Sequence, residues 1–160
     1  MRVSTLAPIL SATSLASARV IGLSAPAILT PNSTFTLTLL TQPYFQPVSD
    51  IAAVWGFQTP TQANPRGAPY TLGHFTNSSY LGPTKSNTLK NVTIEAVVPA
   101  ELLEGKDQLL SVAVMSTYPP YAGPWTQAWN VTVHVGPGQN NSDLMSSTEV
   151  GWDESAICYA

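Results

Sequence analysis

From Val20 to Val135 short runs of alternating apolar and polar residues are separated by Pro, Gly and Asn. Alternation at period two is the mark of a strand with one face in a core and one in water. Proline cannot donate a ladder hydrogen bond, so central strands must lie in the proline-free windows. Val20–Leu23 reads as a short opening strand. Thr34–Thr41 sets Phe35, Leu37 and Leu39 against Thr34, Thr36 and Thr38. Val48–Phe57 places Ile51, Ala53, Trp55 and Phe57 on one parity, and Tyr70–Phe75 reads as a short edge strand. Thr88–Val98 carries Val92, Ile94, Ala96 and Val98 on one face. Leu109–Thr117 is apolar on both parities, as a central strand covered on both sides should be. Thr126–Val135 alternates Trp129, Val131, Val133 and Val135 against Asn130, Thr132 and His134.

About seven strands of this length, with turn signals between them, predict an all-β fold: an antiparallel two-sheet β-sandwich of immunoglobulin or fibronectin type. Pro99–Gly105 is expected to carry the chain between sheets, and Trp55 to fill the core centre. Gln108 stands where a tyrosine corner is sought. No helix longer than one or two turns is predicted.

Both termini break the pattern. Met1-Arg2, an apolar run from Val3 to Ala16 and the small-x-small end Ala16-Ser17-Ala18 describe a secretory signal peptide. Residues 1–18 are therefore expected to be cut between Ala18 and Arg19. The run is too short to span a membrane, which takes roughly 20 apolar residues. The sandwich domain is expected over 19–139, ending at the break signal Gly136-Pro137-Gly138. Residues 140–160 hold Asp143, Glu149, Asp153 and Glu154 with no base, and carry Cys158. A polar, acidic stretch without an apolar period buries too little surface to offset ordering entropy, so a disordered tail is expected. On this reading 19–139 folds and binds without it.

Composition narrows the chemistry. Six Lys and Arg stand against 9 Asp and Glu in 160 residues, and the pI is about 5.1. No basic cluster exists to hold nucleic acid. A single Cys excludes an intramolecular disulfide, and with two separated His it argues against zinc or any other cofactor. His74 and His134 have no partner nearby in sequence and read as surface residues. Asp50, Glu101 and Glu104 are the carboxylates a glycosidase would need, but Glu101 and Glu104 share a turn and read as solvated. A copper polysaccharide monooxygenase would need a mature N-terminal His, where Arg19 stands. A non-enzymatic monomer is expected.

Two features suit an exported binding protein. Asn32, Asn77, Asn91, Asn130 and Asn140 each open an N-glycosylation sequon. The stretch Tyr118-Pro-Pro-Tyr121-Ala-Gly-Pro-Trp125 joins the last two strands and sets three aromatics among rigid prolines. Rigid rings give contact area at low entropy cost, so Tyr118, Tyr121 and Trp125 are candidate partner contacts, with capping of the core as the alternative role. Tyr44-Phe45 is expected near one rim. The same rings would also serve a carbohydrate- or cell-wall-binding module, and a structural secreted protein is a further reading.

The succession Arg19–Pro26, the Thr-rich strand, Val48-Ser-Asp-Ile51, Tyr80-Leu-Gly-Pro-Thr-Lys-Ser-Asn87, the Asn91-Val-Thr strand, Pro99–Gly105 and Gly123–Gly136 is distinctive. It resembles the fungal necrosis-inducing secreted protein family over residues 19–136, with Tyr80–Asn87 its most specific part. The resemblance implies a secreted effector of plant-associated fungi that acts in the host cell cytoplasm. It implies binding and inhibition of plant immune receptor co-receptor kinases and receptor-like cytoplasmic kinases, suppression of pattern-triggered immunity, and induction of cell death. It transfers no contact residues.

Overall fold

The computed structural model describes residues 17–138 and the backbone of two short segments, 144–146 and 148–150. The alternating runs pair as strands because that buries one apolar face of each while the ladder satisfies the backbone. Among the described residues ten strands result: β1 (Ser17–Pro26), β2 (Ile28–Leu29), β3 (Thr34–Tyr44), β4 (Ser49–Gln58), β5 (His74–Tyr80), β6 (Val92–Val97), β7 (Lys106–Tyr118), β8 (Gly123–Val135), β9 (Leu144–Ser146) and β10 (Thr148–Val150). One helical turn, α1 (Gly82–Lys85), follows β5. One sheet has the order β6-β3-β1-β9 and the other β10-β8-β7-β4-β5, with β2 added parallel to the end of β8. The two sheets form a β-sandwich.

The core lies between them. Leu23, Phe35, Leu37 and Leu39 of the first sheet face Trp55, Phe57, Leu110, Val112 and Trp129 of the second. Phe35 meets Phe57 edge to face, with ring centroids 6.4 Å apart. Trp55 is buried as expected, and so is Trp129, whose indole Nε1 has no hydrogen-bond partner.

The seven expected strands are present with shifted ends. The fourth is displaced: Tyr70, at φ 58°, lies in a turn, residues 71–73 belong to no strand, and the strand is His74–Tyr80. Gly73, at φ 86°, turns the chain against Phe57, whose carbonyl a side chain there would strike. β7 is covered on both faces, from Gln108 to Val114. Its outer cover comes from the connection before β5, where Arg66 O accepts a hydrogen bond from Asn130 Nδ2 at 3.1 Å. Gln58 binds the same connection, accepting from Ala68 N at 2.9 Å and donating to Thr71 O at 2.6 Å.

Two bulges reset which residues face inward. In β4 the register steps from Asp50↔Ser116 to Ala52↔Met115, so Ile51 is the extra residue. An extra residue reverses the alternation on one side of it. Asp50, not Ile51, is therefore the enclosed side chain there. Ile21 plays the same part in β1, between Val20↔Thr41 and Gly22↔Leu40, and lies exposed.

The acidic tail departs from expectation. β9 pairs with Ser24–Pro26 of β1, and β10 with Ala128–Asn130 of β8, so two pieces of it extend one sheet each. The signal-peptide residues 1–16, Asn140 and Cys158 lie outside the described residues. Ser17 and Ala18 are part of β1, opposite Tyr44 and Pro43, and Ala18 is fully buried.

Candidate interaction site

The long β7–β8 hairpin closes with Tyr118 opposite Gly123, leaving Pro119–Ala122 as its loop. The Pro119–Pro120 bond is cis. Tyr118, Pro120, Tyr121, Trp125 and Gln127 of this hairpin, with Arg19 from β1, line a cavity of about 450 Å³. The three aromatics singled out in the sequence thus meet in one place. Tyr121 is 93% exposed and Trp125 46% exposed, so neither caps the core. Tyr118 is half-buried at the base, and its hydroxyl donates to Gln127 Oε1 at 3.2 Å.

Contacts invisible in the linear sequence hold the site. Tyr44 stands edge-on to Tyr118 at 6.1 Å and against Phe45 at 4.4 Å, which ties the end of β3 to the hairpin. The Arg19 guanidinium lies 4.8 Å over the Tyr44 ring. With its amide oxygen toward that guanidinium, Gln42 accepts from Arg19 Nη2 at 3.0 Å and Nε at 3.1 Å. A cation held over an aromatic face gains from the ring quadrupole, so Arg19 is both anchored and presented to the cavity. Burial pushes the Tyr118 hydroxyl above the usual tyrosine range; Arg19 opposes that rise, while Asp50 and Tyr44 add to it.

Beneath the rings sits a polar cluster that sequence reading assigned to no site. Asp50 is 4% exposed. Ser116 Oγ donates to its Oδ1 at 2.7 Å, and the Asn87 N–H to its Oδ2 at 3.4 Å. Ser86 Oγ accepts from the Asp50 N–H at 2.6 Å. Asn87 Oδ1 in turn accepts from the Ala18 N–H at 2.9 Å, and Leu81 N–H donates to Ile51 O at 3.0 Å. Burial raises the Asp50 carboxyl above the ordinary range, against the lowering effect of its three hydrogen-bond donors. The stretches Val48–Ile51 and Tyr80–Asn87, with 28 residues between them in sequence, are thereby fastened together and to the start of β1.

The other candidates stay apart. Glu101 and Glu104 are exposed in the turn before β7. His134 has a cross-strand partner after all: its Nδ1 lies 2.8 Å from Asp107 Oδ1, with both side chains exposed. No group of three metal-ligating side chains exists among the described residues. Of the sequon asparagines, Asn32, Asn77 and Asn91 are exposed. Asn130 is half-buried, its amide nitrogen bound to Arg66 O.

The model of the Nis1 family matches residues 16–134. A necrosis-inducing secreted protein 1 from Colletotrichum orbiculare is 32% identical over 154 residues, covering 96% of this chain and 92% of the relative. A protein of the same name from Colletotrichum higginsianum is 35% identical over 137 residues, 86% of this chain and 88% of its own length. Alignment over 96% of the chain takes in part of the acidic tail as well. Among solved structures, a superoxide reductase (neelaredoxin) from Ignicoccus hospitalis has 13% identity and a TM-score of 0.40, over 74% of this chain and 80% of its own. A likeness that slight carries no argument about activity. Matched along the β-sandwich by the family model and across most of its length by both Colletotrichum proteins, the chain belongs to the Nis1 family.

Proposed function

We propose that this protein is a secreted effector that works by occupancy, binding and inhibiting plant immune receptor co-receptor kinases and receptor-like cytoplasmic kinases. Pattern-triggered immunity is blunted as a result, and plant cell death is a second outcome. Secretion and necrosis induction are supported by the names of both relatives. The observation that carries the binding site is the exposure of Tyr121 and Trp125 around an apolar cavity on a braced hairpin. Aromatic anchors of this kind dominate protein interfaces, and a pre-formed site loses little entropy on binding. Action in the host cytosol suits a chain with one Cys, which has no internal disulfide to lose under reducing conditions.

The test is titration against purified co-receptor and cytoplasmic kinase domains. Replacing Tyr121 and Trp125 by Ala should weaken binding by about 2 kcal/mol or more, roughly thirtyfold in Kd, with the circular dichroism spectrum unchanged. Normal affinity in a folded double variant moves the interface elsewhere. Retention of the wild type, but not of the double variant, on insoluble glucan or chitin without kinase binding would assign the rings to cell-wall polysaccharide.

A further inference from the structure

Val114 and Ser116 of β7 are both buried, and they stand opposite Gln127 and Trp125 of β8. Directly opposed residues of an antiparallel pair project to the same face. Trp125 and Gln127 therefore belong to the core-facing side of the second sheet. Trp125 nonetheless stays 46% exposed, because the first sheet contributes only Arg19 to the cavity wall among the described residues. That wall is mostly aromatic and proline-lined, with one cation and no acid. Asp50 lies beneath it, enclosed and met by its own donors. Among the described residues no carboxylate stands within ion-pair distance of Arg19. Its guanidinium is fixed all the same: Gln42 takes one hydrogen each from Nε and Nη2, and the Tyr44 ring lies 4.8 Å away. The Nη1–Nη2 end of the fork is left for a ligand. Gln127 adds a second donor, since its Oε1 takes the Tyr118 hydroxyl and leaves the amide nitrogen over.

We propose that the aromatic cavity receives one carboxylate side chain, an Asp or Glu beside an apolar residue on a partner protein, with that carboxylate paired to Arg19. A carboxylate matches the free end of a guanidinium through two parallel hydrogen bonds. A guanidinium already oriented loses little freedom when it pairs. One cation suits a singly charged carboxylate, whereas phosphate-binding sites gather several basic groups, and the cavity wall holds no second one. The exposed Tyr121 and Trp125 rings then take the neighbouring apolar side chain. That the partner is a kinase domain rests on the function proposed above; the carboxylate chemistry does not.

The probe is 3-phenylpropionate, a carboxylate joined to one ring, titrated into the secreted chain by NMR. The Trp125 indole and Gln127 side-chain amide signals should shift together. The neutral isostere 3-phenylpropanamide should bind about tenfold more weakly or worse. Arg19→Gln should bring the carboxylate down to the level of the amide, and Arg19→Lys should recover only part, since an ammonium lacks the fork. Absence of shifts at Trp125, or equal binding of carboxylate and amide to the wild type, overturns the proposal. Tighter binding of phenyl phosphate or of digalacturonate overturns it too, and would assign the cavity to a phosphorylated or an acidic polysaccharide ligand. Kinase domains give the second arm. Arg19→Gln, with its circular dichroism spectrum unchanged, should weaken their binding about tenfold or more. If the probes discriminate as stated but kinase affinity is unaltered in Arg19→Gln and in the Tyr121/Trp125 variant, the carboxylate site stands and the kinase reading of the cavity falls. If the Tyr121/Trp125 variant loses kinase binding while carboxylate and amide bind alike, the kinase site stands and the carboxylate pairing falls.

Discussion

A carboxyl group enclosed beneath tyrosines holds its proton more readily than one in water, and Asp50 is so placed. In the unfolded chain it titrates near 3.8, and in the folded protein higher. Between those two values the folded state binds the extra proton, so this group's contribution to stability is full below 3.8 and declines as pH rises through the folded value. Asp50→Asn removes that dependence. Denaturant melts of the two proteins should show wild-type stability, relative to the variant, falling with pH across this window and level above it; a difference independent of pH would place the ionisation elsewhere. Ser116→Ala should cost about 1–3 kcal/mol at neutral pH, because it strips the shortest donor from a buried acid. The alternating pattern of the β4 region was legible, but it set Ile51 inward. Inserting the bulge at Ile51 depends on pairing with Ser116, which lies 66 positions away from Asp50, and no local pattern encodes it.

Among the elements, those with a strong apolar alternation were readable and those without it were not. β3 and β8 carry Leu, Phe, Trp and Val on alternate positions, and both form where expected. β5 reads His-Phe-Thr-Asn-Ser-Ser-Tyr and is exposed along most of its length. Its strand state comes from hydrogen bonding to β4, not from an apolar face. The tail strands β9 and β10 are three residues each and exist by adding to edges already built. Truncation after Gly138 removes both, leaving Ser24–Pro26 and Ala128–Asn130 without those partners. Its melting temperature should therefore lie below that of a chain ending at Val150; equal values would show that the added strands contribute nothing. The start of β1 has a similar consequence. A chain beginning at Arg19 lacks the buried Ala18 methyl and the donor to Asn87 Oδ1. It should be about 1 kcal/mol or more less stable than one beginning at Ser17, which chemical denaturation measures.

For the whole molecule, the single thiol at Cys158 allows no internal bridge, so reductant should leave the melting curve of the monomer unchanged. A lower midpoint with reductant would reveal a covalent dimer. The aromatic site was half legible: the sequence named Tyr118, Tyr121 and Trp125 because they share a loop and set Tyr44 near a rim, but it missed Gln127, two residues beyond Trp125 on β8, and Arg19, which arrives from β1. The outlying strands β5 and β6 lead to a further point. On the side away from the tail, each has a neighbour on one flank only among the described residues. Such strands offer unsatisfied backbone to other copies and are where β proteins stack into aggregates. Asn77 lies in β5 and Asn91 directly before β6, both exposed and both in sequons. A glycan on Asn77 would stand as a bulky, hydrated guard over the open flank of β5, whereas the Asn91 amide oxygen accepts from the Thr41 N–H at 3.0 Å and is turned towards β3. If the export route glycosylates Asn77, that sugar would help keep the protein dispersed at the high concentrations of a secretory compartment.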